Sequence, residues 1–302
     1  SALASKASGY PIARVSAKIC VGMTLDEIQL ANTCAAFEPA LDYVVTKMPR
    51  FPFDKFSDAN NRLGTQMKAT GETMSVGRTF EESLLKGIRS LEIGVYHLHM
   101  DKFDGWDREK LLDYIAIGTD DRIYALAQLL RLGASVEEIV QASGIDAFFI
   151  RKLRNIVELE QYLKDHPNDG GTLFKAKKTG FSDKAIAKLW GVGERDIYVL
   201  RKEQNIRPGY RMIDSCAVEF DSYIPYFYST YETENESVVS DRKKVIVLGS
   251  GPIRIGQGVE FDYSTVHAIQ TIQKAGYEAI IINNTPDTAS TDYTTSAKLY
   301  FE

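Results

Sequence analysis

The sequence predicts a multidomain chain that joins α/β parts to an all-α part. Three observations carry this. Helix-like and strand-like periodicity alternate up to about Gly94, a purely helical internal repeat follows, and a β-branched strand runs into a glycine-rich loop near the end. With 302 residues and 44% hydrophobic content, the chain is long enough for two or three separately buried cores.

The opening SALASKASGYPIA is a helix-like stretch of small residues with no initiator Met, and the chain stops at AKLYFE after a short alternating run. Both ends read as cuts in something longer. DYVVTKMP, from Asp42 to Pro49, is a buried-type strand. Thr79, followed three residues later by Glu82 and then by SLLKGIRSLE, has the form of a capping box that opens an amphipathic helix.

From about Tyr96 to Asn205 the pattern is helical, and it repeats at an offset of 47 residues: Ser135 pairs with Ser182, Ile139 with Ile186, Gly144 with Gly191, Ile145 with Val192, Ile150 with Ile197, Leu153 with Leu200 and Arg154 with Arg201. Each unit has a Ser N-cap, a short helix, a glycine where a left-handed turn is needed and a second amphipathic helix, which predicts tandem helix-turn-helix units. After Pro208, the stretch Tyr223 to Glu236 is aromatic, has little periodicity and reads as a linker, with a domain boundary near Lys243. KVIVLGSGPIRIGQG then gives a strand and a glycine loop, followed by a helix from about Phe261 to Ala275, Gly276 and the strand EAIIINN. One βαβ unit cannot bury both faces of a parallel sheet, so the last 60 residues are expected to be loosely held unless they pack on the helical part.

Several function classes are excluded or disfavoured. The net charge of −5 carries no long like-charged block, and Thr119 to Asn205 holds 14 Lys plus Arg against 13 Asp plus Glu. Duplex binding depends on neutralising about 6–10 phosphates, so a tandem helix-turn-helix nucleic-acid binder is the rival reading and charge opposes it. Cys20, Cys34 and Cys216 are an odd number at wide spacing, which fits neither a disulfide framework nor a zinc site and suits a reducing cytoplasm. No apolar run reaches the roughly 20 residues of a membrane span. His97 and His99 have no Cys or carboxylate at ligand spacing, so no metal site is expected. The loop with Gly249, Gly251, Gly256 and Gly258 could receive an anion at a helix N-terminus, but Arg254 stands where a dinucleotide fingerprint needs its third glycine. No catalytic constellation emerges from the residues.

Several longer strings carry a resemblance. GSGPIRIGQGVEFDYSTVHA and NNTPDTASTDYTTSAKLYFE resemble the opening of the second half of carbamoyl-phosphate synthetase large subunits of the bacterial, glutamine-dependent kind. FEPALDYVVTKMPRFPFDKF, TQMKATGETMSVGRTFEESLLKGIRSLE and MIDSCAVEFDSYIPYFYSTYE are similar to the end of the first half and the segment beyond. The resemblance implies that residues 1–97 are the tail of the first, carboxyphosphate-forming ATP-grasp domain. It makes 98–243 a helical oligomerisation domain, and 244–302 the start of the second, Rossmann-like pre-ATP-grasp domain.

It further implies an ATP-dependent ligase of pyrimidine and arginine biosynthesis that uses bicarbonate, glutamine-derived ammonia and two ATP, partnered by a glutaminase small subunit and self-associating through the helical domain. Mg²⁺, ATP and K⁺ would serve the full-length enzyme, and none is expected in this fragment. Its catalytic residues are expected upstream of Ser1 and downstream of Glu302, leaving the fragment inactive alone. What matches residue by residue is the wall of a carbamate tunnel: Ala2, Arg254, Gly258, Glu260 and Asp287. Two positions depart from the family pattern. Ile253 replaces the Asn of GPNRIGQG, and Asp287 replaces the Glu of NPET, which shortens a tunnel carboxylate.

Overall fold

A computed structural model describes residues 2–30, 33–56, 58–214, 224–232, 234–249, 254–257, 259–286, 288–292 and 294–301. In chain order the elements are α1 (Ala2–Ser8), α2 (Ile12–Cys20), β1 (Val44–Arg50), β2 (Gly71–Gly77), α3 (Phe80–Ser90), α4 (Arg108–Ile115), α5 (Arg122–Arg131), α6 (Val136–Ser143), α7 (Ala147–Asp165), α8 (Gly170–Thr179), α9 (Asp183–Trp190), α10 (Glu194–Glu203), β3 (Gly209–Met212), β4 (Tyr226–Thr230), β5 (Lys244–Leu248), α11 (Val259–Lys274), β6 (Glu278–Asn283) and β7 (Lys298–Phe301). They form two compact units. A sheet unit takes residues 1–47, 72–78 and 208–302, and a helical unit takes 48–71 and 79–207. Both units are discontinuous in sequence.

In the helical unit, short polar side chains start most helices. The Oγ1 of Thr79 accepts from the N–H of Glu82 at 3.2 Å, and Asp107, Ser135, Asp146, Asp169 and Ser182 cap α4, α6, α7, α8 and α9 in the same way. α6 and α9, and likewise α7 and α10, begin at positions related by the repeat offset. Gly144 (φ 70°) and Gly191 (φ 68°) close the first helices in left-handed geometry. The paired Ile139 and Ile186, and Ile150 and Ile197, are buried. The copies differ in length, since α7 runs 19 residues and α10 only 10. Gly180 is constrained differently: at φ 101°, a Cβ there would lie 2.8 Å from the Glu82 Cα, and Arg89 donates to the Gly180 carbonyl at 2.8 Å.

The sheet unit holds a five-stranded sheet in the order β3-β4-β7-β6-β5. β3 and β4 are antiparallel, with Gly209 opposite Thr230, and the remaining neighbours are parallel, with Tyr226 opposite Leu299 and Lys244 opposite Glu278. β5, α11 and β6 form the expected βαβ unit, with α11 packed on β6 and β5. The stretch expected to be a linker instead contributes an interior strand. Tyr226, Phe227 and Tyr228 are almost wholly buried, and a strand covered on both faces loses the alternation by which a strand is recognised. The C-terminal strands find cover within the sheet unit itself. Ala279, Ile281, Leu299 and Phe301 share one core with Tyr43, Met74, Val76 and Ile269, against which Leu3 and Ala7 pack. β5 is the outer strand, and its Ile246 and Leu248 are exposed. β1 pairs with β2 alone and is half-buried rather than buried, because a two-stranded sheet leaves Lys47 facing water.

Candidate functional site

In the sheet unit, polar bonds gather at the turn after β6. Thr291 Oγ1 donates to the carbonyls of Thr285 (3.0 Å) and Thr288 (2.9 Å), Thr288 Oγ1 donates to the Thr285 carbonyl (3.2 Å), and the Asn283 side chain accepts from the Thr285 N–H (3.2 Å). These are local side-chain-to-backbone bonds of the kind Thr and Asn make in turns. Two outside elements reach the turn. From α11, buried Asp262 accepts from the Ser290 N–H at 2.8 Å. From α1, Lys6 Nζ donates to the Pro286 carbonyl (2.5 Å), the Thr288 carbonyl (2.7 Å) and Thr291 Oγ1 (2.6 Å). The helix α1 is itself held, because Tyr43 and Tyr226 donate their hydroxyls to the carbonyls of Ala7 (2.8 Å) and Lys6 (3.2 Å).

Before α11, residues 254–257 fold back on themselves. Gln257 accepts at its side-chain oxygen from the Arg254 N–H (2.6 Å) and donates its own N–H to the Arg254 carbonyl (3.1 Å), with Gly256 left-handed at φ 90°. The Arg254 side chain and Glu260, in the first turn of α11, are exposed. Of the five residues assigned to a tunnel wall, Ala2 opens α1, Glu260 sits in α11 and Arg254 lies in the loop. Gly258 and Asp287 lie outside the described residues. The fold brings together the elements around them: α1 and α11 both grip the turn whose described residues flank 287. Sequence reading passed over Lys6 and Asp262. The only signal was a single Lys within a run of small residues, and Asp262 looked like an ordinary first-turn acid.

The helical unit contains a separate cavity of about 1190 Å³, lined among others by Tyr96, His97, His99, Arg131, Glu160 and Lys184. Glu160 anchors its wall, accepting from His97 (3.0 Å), Arg131 (2.7 Å) and Lys164 (2.8 Å). Burial pushes this carboxyl up, but the bonds from His97 and Arg131 outweigh it and hold the group below the usual carboxylate range. Burial in turn lowers the pKa of His97, against the pull of Glu160. The expectation that no carboxylate accompanies the histidine pair is corrected here. The short turn at Asp101–Phe103 folds Asp101 and Asp104 back to His99, so that one ligating atom from each lies within 4.8 Å of the others.

Two family models match the chain. The model of the carbamoyl-phosphate synthetase large chain oligomerisation domain covers residues 72–205, and that of the carbamoyl phosphate synthase preATP-grasp domain covers 241–302. The chain belongs to the carbamoyl-phosphate synthetase large-chain family. The first match covers all the helices from α3 to α10, and the second covers the βαβ unit and β7, so the mixed helical and parallel-sheet architecture is the one these synthetase domains have. The oligomerisation-domain match supports self-association, and nothing in the synthetase matches points to nucleic acid. Among the described residues, no helix is long and apolar enough to cross a membrane.

Phosphoryl transfer in a synthetase needs Mg²⁺ on carboxylates beside cations that hold the nucleotide phosphates. The His99–Asp101–Asp104 set does not fit that requirement. Its acids are exposed, His99 is bonded to Asp104 at 2.9 Å, and Lys188 stands 3.7 Å from Asp101. No step is assigned to it.

Proposed function

We propose that this chain supplies scaffold, self-association and part of the carbamate passage to a glutamine-dependent carbamoyl-phosphate synthetase. That enzyme would make carbamoyl phosphate from bicarbonate, ammonia released by a glutaminase small subunit, and two ATP, with Mg²⁺ and K⁺ at ATP-grasp centres supplied by other parts of the large subunit. In this reading residues 1–97 are the end of the first ATP-grasp domain. The helix-turn-helix pairs serve protein contacts, and the enzyme works in the cytoplasm for pyrimidine and arginine synthesis. The observation that supports it most is the succession, in one chain, of an oligomerisation-domain match and a preATP-grasp match. The near balance of charge over 119–205 agrees with protein contacts rather than phosphate contacts.

Ala2, Arg254, Gly258, Glu260 and Asp287 would line the passage, with Gly258 leaving room beside Glu260 for a small anion. Gly258→Phe in the complete synthetase should leave bicarbonate-dependent ATP hydrolysis running while carbamoyl phosphate formation falls. An unchanged product yield would remove Gly258 from the passage, whereas equal loss of both activities would point to misfolding.

A further inference from the structure

We infer that Lys6 is a positioning residue that locks the turn residues 285, 286 and 288–291 onto α1, and thereby fixes the two ends of the chain's passage wall relative to each other. The functional half of this inference rests on the passage reading above; the structural half does not.

A lysine ammonium has three donors and no acceptor, and it shifts readily between partners when they are scattered over a surface. Here three acceptors of one turn, two backbone carbonyls and one hydroxyl, lie within hydrogen-bond distance of Nζ. The carbonyls belong to Pro286 and Thr288, on either side of position 287. The hydroxyl belongs to Thr291, whose single O–H lies within reach of the Thr285 and Thr288 carbonyls, leaving its lone pairs to accept from Lys6. Charge-assisted bonds of this kind are about twice as strong as neutral ones. Ser290 and Thr291 are buried, so the contact is shielded from competing water.

Lys6 is separated from Ala2 by about one helical turn, and the backbone between Lys6 and Ala7 is pinned by Tyr226 and Tyr43. A displacement of the turn is thus resisted through α1. Asp262 holds the same turn from α11, the helix that also carries Glu260. The elements bearing Ala2, Glu260 and the surroundings of 287 therefore meet at one knot, with Lys6 as its link to the N-terminal segment.

The test compares Lys6→Met, which keeps the length and apolar stem but removes every donor, with Lys6→Arg, which keeps the charge and donors. Hydrogen exchange on the chain is the first readout. In Lys6→Met the Ser290 amide should exchange about tenfold faster or more, while amides of β6 such as Ile281 keep their rates; Lys6→Arg should restore much of the protection. Unchanged exchange at Ser290, equal acceleration throughout the sheet, or no restoration by Arg would overturn the inference. The second readout is carbamoyl phosphate formed per ATP hydrolysed in the complete synthetase, which should fall severalfold in Lys6→Met. Faster exchange at Ser290 with an unchanged ratio would leave the positioning role standing and sink its link to the passage.

Discussion

Replacing Glu160 by alanine removes the anion on which the cavity wall of the helical unit converges. Its side chain is only 6% exposed and faces Arg131, itself 15% exposed, at 2.7 Å. Lys164 is 42% exposed, so its part of the cluster lies in the screened regime worth at most about 1 kcal/mol. The main loss is a buried guanidinium without its counter-ion, about 3–5 kcal/mol. The gain from alanine's helix propensity is a few tenths of a kcal/mol and cannot offset it. At roughly 2–4 °C per kcal/mol for a unit of this size, the midpoint should fall by about 10 °C. Thermal unfolding followed by far-ultraviolet circular dichroism measures the midpoint, and urea unfolding gives the free-energy change. Glu158→Ala is the internal control, since Glu158 and its partner Arg154 are 66% and 47% exposed and its loss should stay within about 0.5 kcal/mol. A Glu160→Ala effect no larger than that of Glu158→Ala would refute the reasoning. So would a double-mutant cycle with Arg131→Met whose coupling is under about 0.5 kcal/mol.

Ser135→Ala and Ser182→Ala should each cost about 1 kcal/mol and add when combined, because each hydroxyl accepts from one amide (3.2 and 3.0 Å) in a separate helix pair; melting of the two single variants and the double variant checks this. Gly191→Ala should cost about 1–2 kcal/mol for left-handed strain alone, whereas Gly180→Ala should cost clearly more, since its Cβ would also meet the Glu82 backbone at 2.8 Å; parallel denaturation of the two ranks them. Burial lowers Lys177 to about 8 despite the opposing pull of Asp183. The folded state then releases its proton before the unfolded chain does, so this group's contribution should rise from about pH 8 to 10.5, by about 3 kcal/mol, and fade as pH falls back through 8. Stability measured across that range for the unaltered chain minus Lys177→Met isolates this contribution, and a flat difference would contradict it.

Local chemistry was legible. Ser135, Ser182, Gly144 and Gly191 set helix starts and stops through bonds to residues three or four positions away, so a short window contains the whole cause. The βαβ unit was legible for the same reason, as its β-branched strands and Gly276 are local signals. Tyr226–Thr230 was not, because its meaning as a strand lies in partners far away: Met212 on one side and Leu299 on the other. The grouping of residues 1–47 with 208–302 in one compact unit rests on contacts that no window spans. At the candidate site, the motif residues Arg254 and Glu260 stood out by resemblance. Lys6, whose acceptors are about 280 positions further on, had no local partner to betray it.

The larger part of the helical unit is, topologically, a folded insertion: the sheet unit breaks off at 78 and resumes at 208. Were 79–207 an unstructured coil, bringing its ends together would cost roughly 4 kcal/mol of closure entropy beyond a constant, a burden comparable to a sizeable part of a domain's net stability. A bundle of short helices with mostly local contacts forms quickly and can meet that cost before the slow, long-range pairing of β4 with β7 is attempted. Helix lesions such as Glu160→Ala are therefore expected to slow the zipping of a sheet far away in sequence, with the rate of β4–β7 docking reporting on the health of the insertion.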